Sequence, residues 1–144
     1  MNFTDFINEG KVRRSSIDKG LVKSLLSGLN TDLKFLDKIK IDEISARKLM
    51  VGYYDTLRSL LEAIASTEGY KIYSHEAFTF YLKEKGENIL AEKFDRFRKI
   101  RNAINYYGKD IDVEECRENI KSMINVLNSL KNKYLKDLKW NYIL

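Results

Sequence analysis

The stretch that decides the fold is Asp112-Val-Glu-Glu-Cys-Arg-Glu-Asn-Ile-Lys-Ser-Met-Ile-Asn-Val-Leu-Asn-Ser-Leu-Lys-Asn-Lys-Tyr-Leu-Lys-Asp-Leu138. Its apolar residues Val113, Cys116, Ile120, Met123, Leu127, Leu130, Tyr134 and Leu138 recur at steps of three and four. That is the period of a helix with one buried stripe, and a stripe this long packs at shallow angles in a bundle. Asp112 with Glu115 three residues later makes a capping-box pattern, with Asp in the Ser/Thr role. Charge runs with the helix dipole. Five acids and one base lie between Asp110 and Glu118, and five bases and one acid between Lys121 and Lys139.

Four more helices and a short turn precede this one. Residues 2–9 form a short amphipathic turn through Phe3, Phe6 and Ile7. A first firm helix runs from about Ser16 to Ile39, with Ile17, Leu21, Leu25, Leu29, Leu33 and Leu36 as its stripe. Asp42 caps a second, which runs to about Ser66 and carries Met50, Tyr54, Leu57, Leu61 and Ile64 on one face, with Gly69 as its stop. Ser74 caps a short third helix from His75 to Lys85, ended by Gly86, and a fourth covers Asn88 to Tyr107, ended by Gly108. No segment reads as a strand. The expected fold is all-α: an antiparallel bundle of four main helices plus a short one.

Composition agrees. The chain has 144 residues, no proline and only 7 glycines, so nothing breaks a helix from within. Without a Gly/Ser/Pro-rich linker, residues 1–144 read as a single helical-bundle domain. The net charge of +5 permits an anionic partner without demanding one. Cys116 is the one cysteine, which excludes an internal disulfide and suggests a reducing, cytoplasmic setting. It falls in the last helix's stripe as a small core residue. No run approaches a membrane span, and the charged first twenty residues do not resemble a signal peptide. One His and one Cys, far apart, give no metal-ligand spacing, and there is no Gly-rich phosphate loop. No cofactor and no membrane partner is expected.

The unusual segment is the fourth helix, Phe94-Asp-Arg-Phe-Arg-Lys-Ile-Arg-Asn-Ala-Ile-Asn-Tyr-Tyr-Gly108. Leu90, Phe94, Phe97 and Ile104 form its apolar row, and Arg101 interrupts that row. A buried Arg needs a partner. One reading has Arg101 leave the edge of the stripe to meet a carboxylate of another helix. The other makes it line a polar pocket or dimer cleft, binding a phosphate bidentately beside Asn102 or Asn105. Arg96, Arg98 and Lys99 add charge, and Tyr106 and Tyr107 add aromatic rings that suit a base or single-stranded nucleic acid. His75 opens its helix and reads as a neutral, locally hydrogen-bonded residue of the first turn.

Three stretches together resemble the HEPN superfamily of small all-helical domains. Ala46-Arg-Lys-Leu-Met-Val-Gly-Tyr-Tyr54 with Leu60-Leu-Glu-Ala-Ile64 is similar to its Tyr-rich helix ending in a Leu-Leu pair. Gly69-Tyr-Lys-Ile-Tyr-Ser-His75 is similar to its Gly…(Ser/Thr)-His junction, and Arg101-Asn-Ala-Ile-Asn-Tyr106 stands at its Arg-Asn-x-x-x-His motif. The resemblance spans roughly residues 16–140. It implies a homodimer with RNA or a nucleotide bound at a cleft around Arg101. Arg98, Asn102, Asn105 and Tyr107 would be ligand-binding residues, with Arg101 and Tyr106 at the catalytic positions. It also implies a minimal nucleotidyltransferase as a partner protein, in a toxin–antitoxin or defence module. Tyr106 replaces the motif His, and a phenol is a poor general base at neutral pH, which weighs against catalysis. A metal-independent endoribonuclease toxin and a non-catalytic helical interaction module stay open as alternatives.

Overall fold

A computed structural model describes residues 1–136 and is mostly helical. The order is α1 (Phe3–Asn8), β1 (Val12–Arg14), α2 (Lys19–Asp37), α3 (Ala46–Thr67), β2 (Tyr70–Ile72), α4 (His75–Glu84), α5 (Asn88–Tyr107) and α6 (Val113–Tyr134). The predicted continuation of the last stripe through Leu138 lies outside the described residues.

The core is built around α3. The expected row of Met50, Tyr54, Leu57, Leu61 and Ile64 is buried, and Leu49, Tyr53, Leu60, Ala63 and Ala65 are buried with it. A helix apolar on most sides must be covered on most sides. α2, α6 and α5 all pack against α3, while α4 packs on α5. Close approach of α2 is possible because Gly52 has no side chain: a Cβ there would stand 2.8 Å from Leu36 Cδ2. On α6, Cys116, Ile120, Met123, Leu127 and Leu130 are buried as expected, and the Cys116 thiol donates to the Ala46 carbonyl at 3.3 Å. No helix among the described residues is long and apolar enough to cross a membrane.

Several expectations need correction. The chain does contain strands: β1 and β2 pair antiparallel, with Val12 opposite Ile72, Arg13 opposite Lys71 and Arg14 opposite Tyr70. Three-residue strands are too short to show an alternating period, so the pattern hid them. α2 begins at Lys19 rather than Ser16, where the Asp18 carboxylate accepts from the Leu21 N–H at 3.0 Å. Its buried residues are Val22, Leu26, Leu29 and Leu36, while Ile17 is exposed and precedes the helix. Val22 and Leu26 give the same three-and-four spacing as the row one position earlier, and α3 covers theirs. The Asp42 carboxylate caps a turn, accepting from the Ile44 and Ser45 N–H groups at 2.9 Å each, and α3 starts one turn later. Ser74 stands at the expected cap of α4, but its side chain makes no capping bond. At α6 the Asp112 carboxylate accepts from the Glu115 N–H at 3.4 Å. A reciprocal capping box occurs instead on α1, between Asn2 and Asp5. Gly69, Gly86 and Gly108 all follow helix ends with positive φ, as glycine stops should.

Two carboxylates tie the far ends of the helices together. Glu68, just past α3, accepts from Tyr81 Oη and Lys85 Nζ. Glu87, before α5, accepts from Lys133 Nζ and from Tyr134 Oη, the latter at 3.0 Å.

Candidate functional site

The buried rings of Phe94 and Phe97 fix the face that α5 turns inward. Arg101 continues that row one turn later, so its guanidinium is carried toward α3. Its Cζ lies 5.8 Å from the ring centroid of Tyr54 and 5.6 Å from that of Tyr106. Nη1 donates to Asn102 Oδ1 at 3.2 Å and to Tyr106 Oη at 3.3 Å. Nε is buried without an acceptor. Among the described residues no carboxylate forms an ion pair with Arg101.

Arg98 behaves differently. Its Nε and Nη2 both donate to Asp95 Oδ1, at 3.0 and 2.8 Å, and Lys99 Nζ lies 3.0 Å from Asp95 Oδ2. Thr79 adds a hydroxyl donor to Asp95 Oδ1 at 3.3 Å. Burial pushes the Asp95 carboxyl up, but Arg98 and Lys99 outweigh it and hold the group below its ordinary value. Arg98 is therefore an anchored charge at the rim, whereas Arg101 is an unpaired one. Asn102 is half-buried and touches Arg101. Asn105, Tyr106 and Tyr107 are exposed, the two tyrosines at 68% and 79%. Of the expected site residues, the structure thus gathers Arg101, Asn102 and Tyr106 through direct contacts and leaves Asn105 and Tyr107 at the open end of α5.

Three groups that the sequence reading left out complete the arrangement. Tyr54 stacks on Phe94 with centroids 5.4 Å apart and on His75 at 5.8 Å. Its Oη lies 3.1 Å from His75 Nδ1. The expected local partner of His75 is thus replaced by a residue of another helix. The neutral state expected for it holds, for a different reason. Burial, then Arg58, Arg101 and Arg98, push the imidazole down to about 4. Burial also raises the Tyr54 phenol, although the same three arginines pull it down. With the phenol protonated and the imidazole neutral, we assign the bond as Tyr54 O–H donating to Nδ1, which leaves the ring proton on Nε2.

Arg58 is the second addition. It stands one turn after Tyr54 on α3, and its Nη1 donates to Glu62 Oε2 at 3.2 Å. Like Arg101, its Nε is buried without an acceptor. Asp55, the third, is half-buried, and burial raises its carboxyl against the pull of Arg58 and Arg101. It forms an ion pair with neither guanidinium. The site is therefore a cluster of three arginines around a neutral imidazole and a buried phenol. One arginine lacks an acid, and two have an unsatisfied inner N–H. Such a cluster offers charge-assisted hydrogen bonds to an oxyanion and aromatic faces beside it. The spacing of Tyr54 and Arg58, four apart on a helix that carries buried rows, was the available signal for Arg58.

Comparison of the chain with protein-family models, with curated proteins and with solved structures finds no match.

Proposed function

We propose that the chain is a HEPN-like domain that binds RNA or a nucleotide at the cleft around Arg101. In this reading it is a homodimer whose α5 helices meet near the twofold axis. It works in a toxin–antitoxin or defence module, with a minimal nucleotidyltransferase as partner. The observation that carries the reading is Arg101 itself. It sits in the inward row of α5, close to two aromatic rings, with no carboxylate partner among the described residues and a buried N–H left over. An unpaired guanidinium so placed is costly unless an anion completes it. The other reading of Arg101, an ion pair with a carboxylate of another helix, has no such pair among the described residues.

Arg101→Ala should weaken binding of RNA or nucleotide by about 1.5–3 kcal/mol, the scale of a charge-assisted hydrogen bond. The melting temperature should hold, since no carboxylate is left alone in the interior. A sharp fall in melting temperature with unchanged affinity would overturn the reading.

The endoribonuclease reading has to recruit His75, whose imidazole lies beside the Tyr54 ring that Arg101 also contacts; its Nδ1 must first give up the Tyr54 hydroxyl, and a ring held down to about 4 is a weak base at neutral pH. RNA cleavage that persists in Tyr106→Phe and vanishes in His75→Ala supports it. Absence of cleavage in the parent removes it.

A further inference from the structure

The ribbon of β1 and β2 leads into α4, which His75 opens, and its charge is unbalanced. Register sets Arg13 directly opposite Lys71. Like charges facing each other across a strand pair are destabilising. Both residues are exposed, and among the described residues Arg13, Arg14 and Lys71 form no ion pair. Instead Arg13 lies over the ring of Tyr73, its Cζ 5.7 Å from the centroid, and Tyr73 is 55% exposed. Arg14 lies over Tyr70 at 5.5 Å.

Two connections join this ribbon to the site. Along the chain, β2 passes through Tyr73 and Ser74 directly into His75. Across the surface, Lys71 and Glu62 line one cavity of about 180 Å³, and Glu62 is the residue that holds Arg58. Tyr73 thus reaches the site along the chain, and Lys71 reaches Glu62, the partner of Arg58, across a cavity that Asp18 also lines.

We propose that Arg13, Lys71 and Tyr73 extend the Arg101 cleft into a track for a single-stranded polynucleotide, so that the ligand is a strand of several nucleotides rather than a mononucleotide. The proposal rests on Arg101 being a phosphate-binding group. A backbone-following basic surface interleaved with aromatic faces is what such strands require, because bases stack on rings irrespective of sequence while phosphates take the charges. The like-charge pair, a cost in the free protein, is neutralised by phosphates in the complex.

The test uses the full chain and three probes: a short oligouridylate, the matching oligothymidylate, and uridine monophosphate. Binding is followed by fluorescence anisotropy for the labelled strands and by calorimetry for the mononucleotide. Arg13→Gln with Lys71→Gln should weaken oligonucleotide binding on the order of tenfold or more, and flatten the log-affinity against log-salt slope by about 1.4, two contacts at about 0.7 each. Affinity for the mononucleotide should not change, and the double variant should melt no lower than the parent. Tyr73→Ala should weaken the strands without changing the slope. Arg101→Ala should weaken all probes. The ratio of RNA to DNA affinity in the parent says which strand is the better ligand. If the double variant binds the strands as tightly as the parent while Arg101→Ala does not, the track is wrong and the Arg101 reading stands. Equal losses for strand and mononucleotide also overturn the track. If the parent binds none of the probes, both readings fall.

Discussion

At the scale of single residues, His75 sets the acid behaviour. An imidazole takes up its proton near pH 6.5 in an unfolded chain. In the folded protein His75 does so only near about 4, held down by burial and by Arg58, Arg101 and Arg98. The folded value lies below the unfolded one, so the unfolded chain takes the proton first. Stability contributed by the neutral ring is complete above about pH 6.5 and is lost as pH falls toward 4. Asp55, whose carboxyl burial raises, opposes this loss as it takes up its own proton. The carboxylates held low, Asp42, Asp95 and Glu87, lose their contribution only below the ordinary carboxylate range. Denaturant unfolding measured from pH 7 to pH 5 should therefore show a decline that His75→Gln removes. An unchanged decline in the variant would show that other groups carry it. Arg101 was legible in the sequence because it breaks a row of apolar residues. Arg58, Asp55 and the Tyr54–His75 pair were not, since their meeting depends on how α3, α4 and α5 cross, which no local spacing encodes.

At the scale of elements, punctuation was legible and faces less so. α5 has the expected bounds, Asn88 to Tyr107, because Gly86 and Gly108 end the helices on either side of its start and finish with φ of +79° and +63°. The inward row of α2 was read one position off only at its start, at Leu21 and Leu25 instead of Val22 and Leu26, because both rows have helical spacing there; Leu29 and Leu36 are buried as expected. β1 and β2 were missed because pairing between distant segments leaves no local trace in three residues. Gly69 serves two elements at once. It follows α3 with φ +82°, and its carbonyl accepts from the Ser15 N–H at 2.8 Å as the chain enters β2. A Cβ there would also stand 3.1 Å from the Ser15 carbonyl oxygen, while one on Gly86 would meet nothing within 4 Å. Gly86→Ala should cost about 1–2 kcal/mol, the penalty for a left-handed residue with a side chain. Gly69→Ala should cost more, because its backbone neighbour must also shift. Chemical denaturation of the two variants side by side checks the order, and equal losses would show that the ribbon yields freely.

At the scale of the whole molecule, the helical content follows from a proline-free chain with apolar rows, and that much was legible from composition and spacing. Assembly follows from the proposed function: α5 carries exposed Tyr106 and Tyr107 beside the unpaired Arg101, a surface suited to a self-complementary contact at a twofold axis. Light scattering at tens of micromolar should give about twice the chain mass of 16.9 kDa, and a monomer mass would count against the dimer. The ribbon carries a different consequence, one of timing. Val12 pairs with Ile72 only after all of α2 and α3 have been laid down between them. Closing a segment of that length is entropically expensive and is repaid by few contacts, whereas the helices and their hairpin-like neighbours form from local ones. The ribbon should therefore zip shut after the folding transition state has been crossed. Val12 is buried, so Val12→Ala should accelerate unfolding while leaving the refolding arm of the chevron almost where it was. A variant that slowed refolding in proportion to its lost stability would place the latch at the start of folding instead of its end.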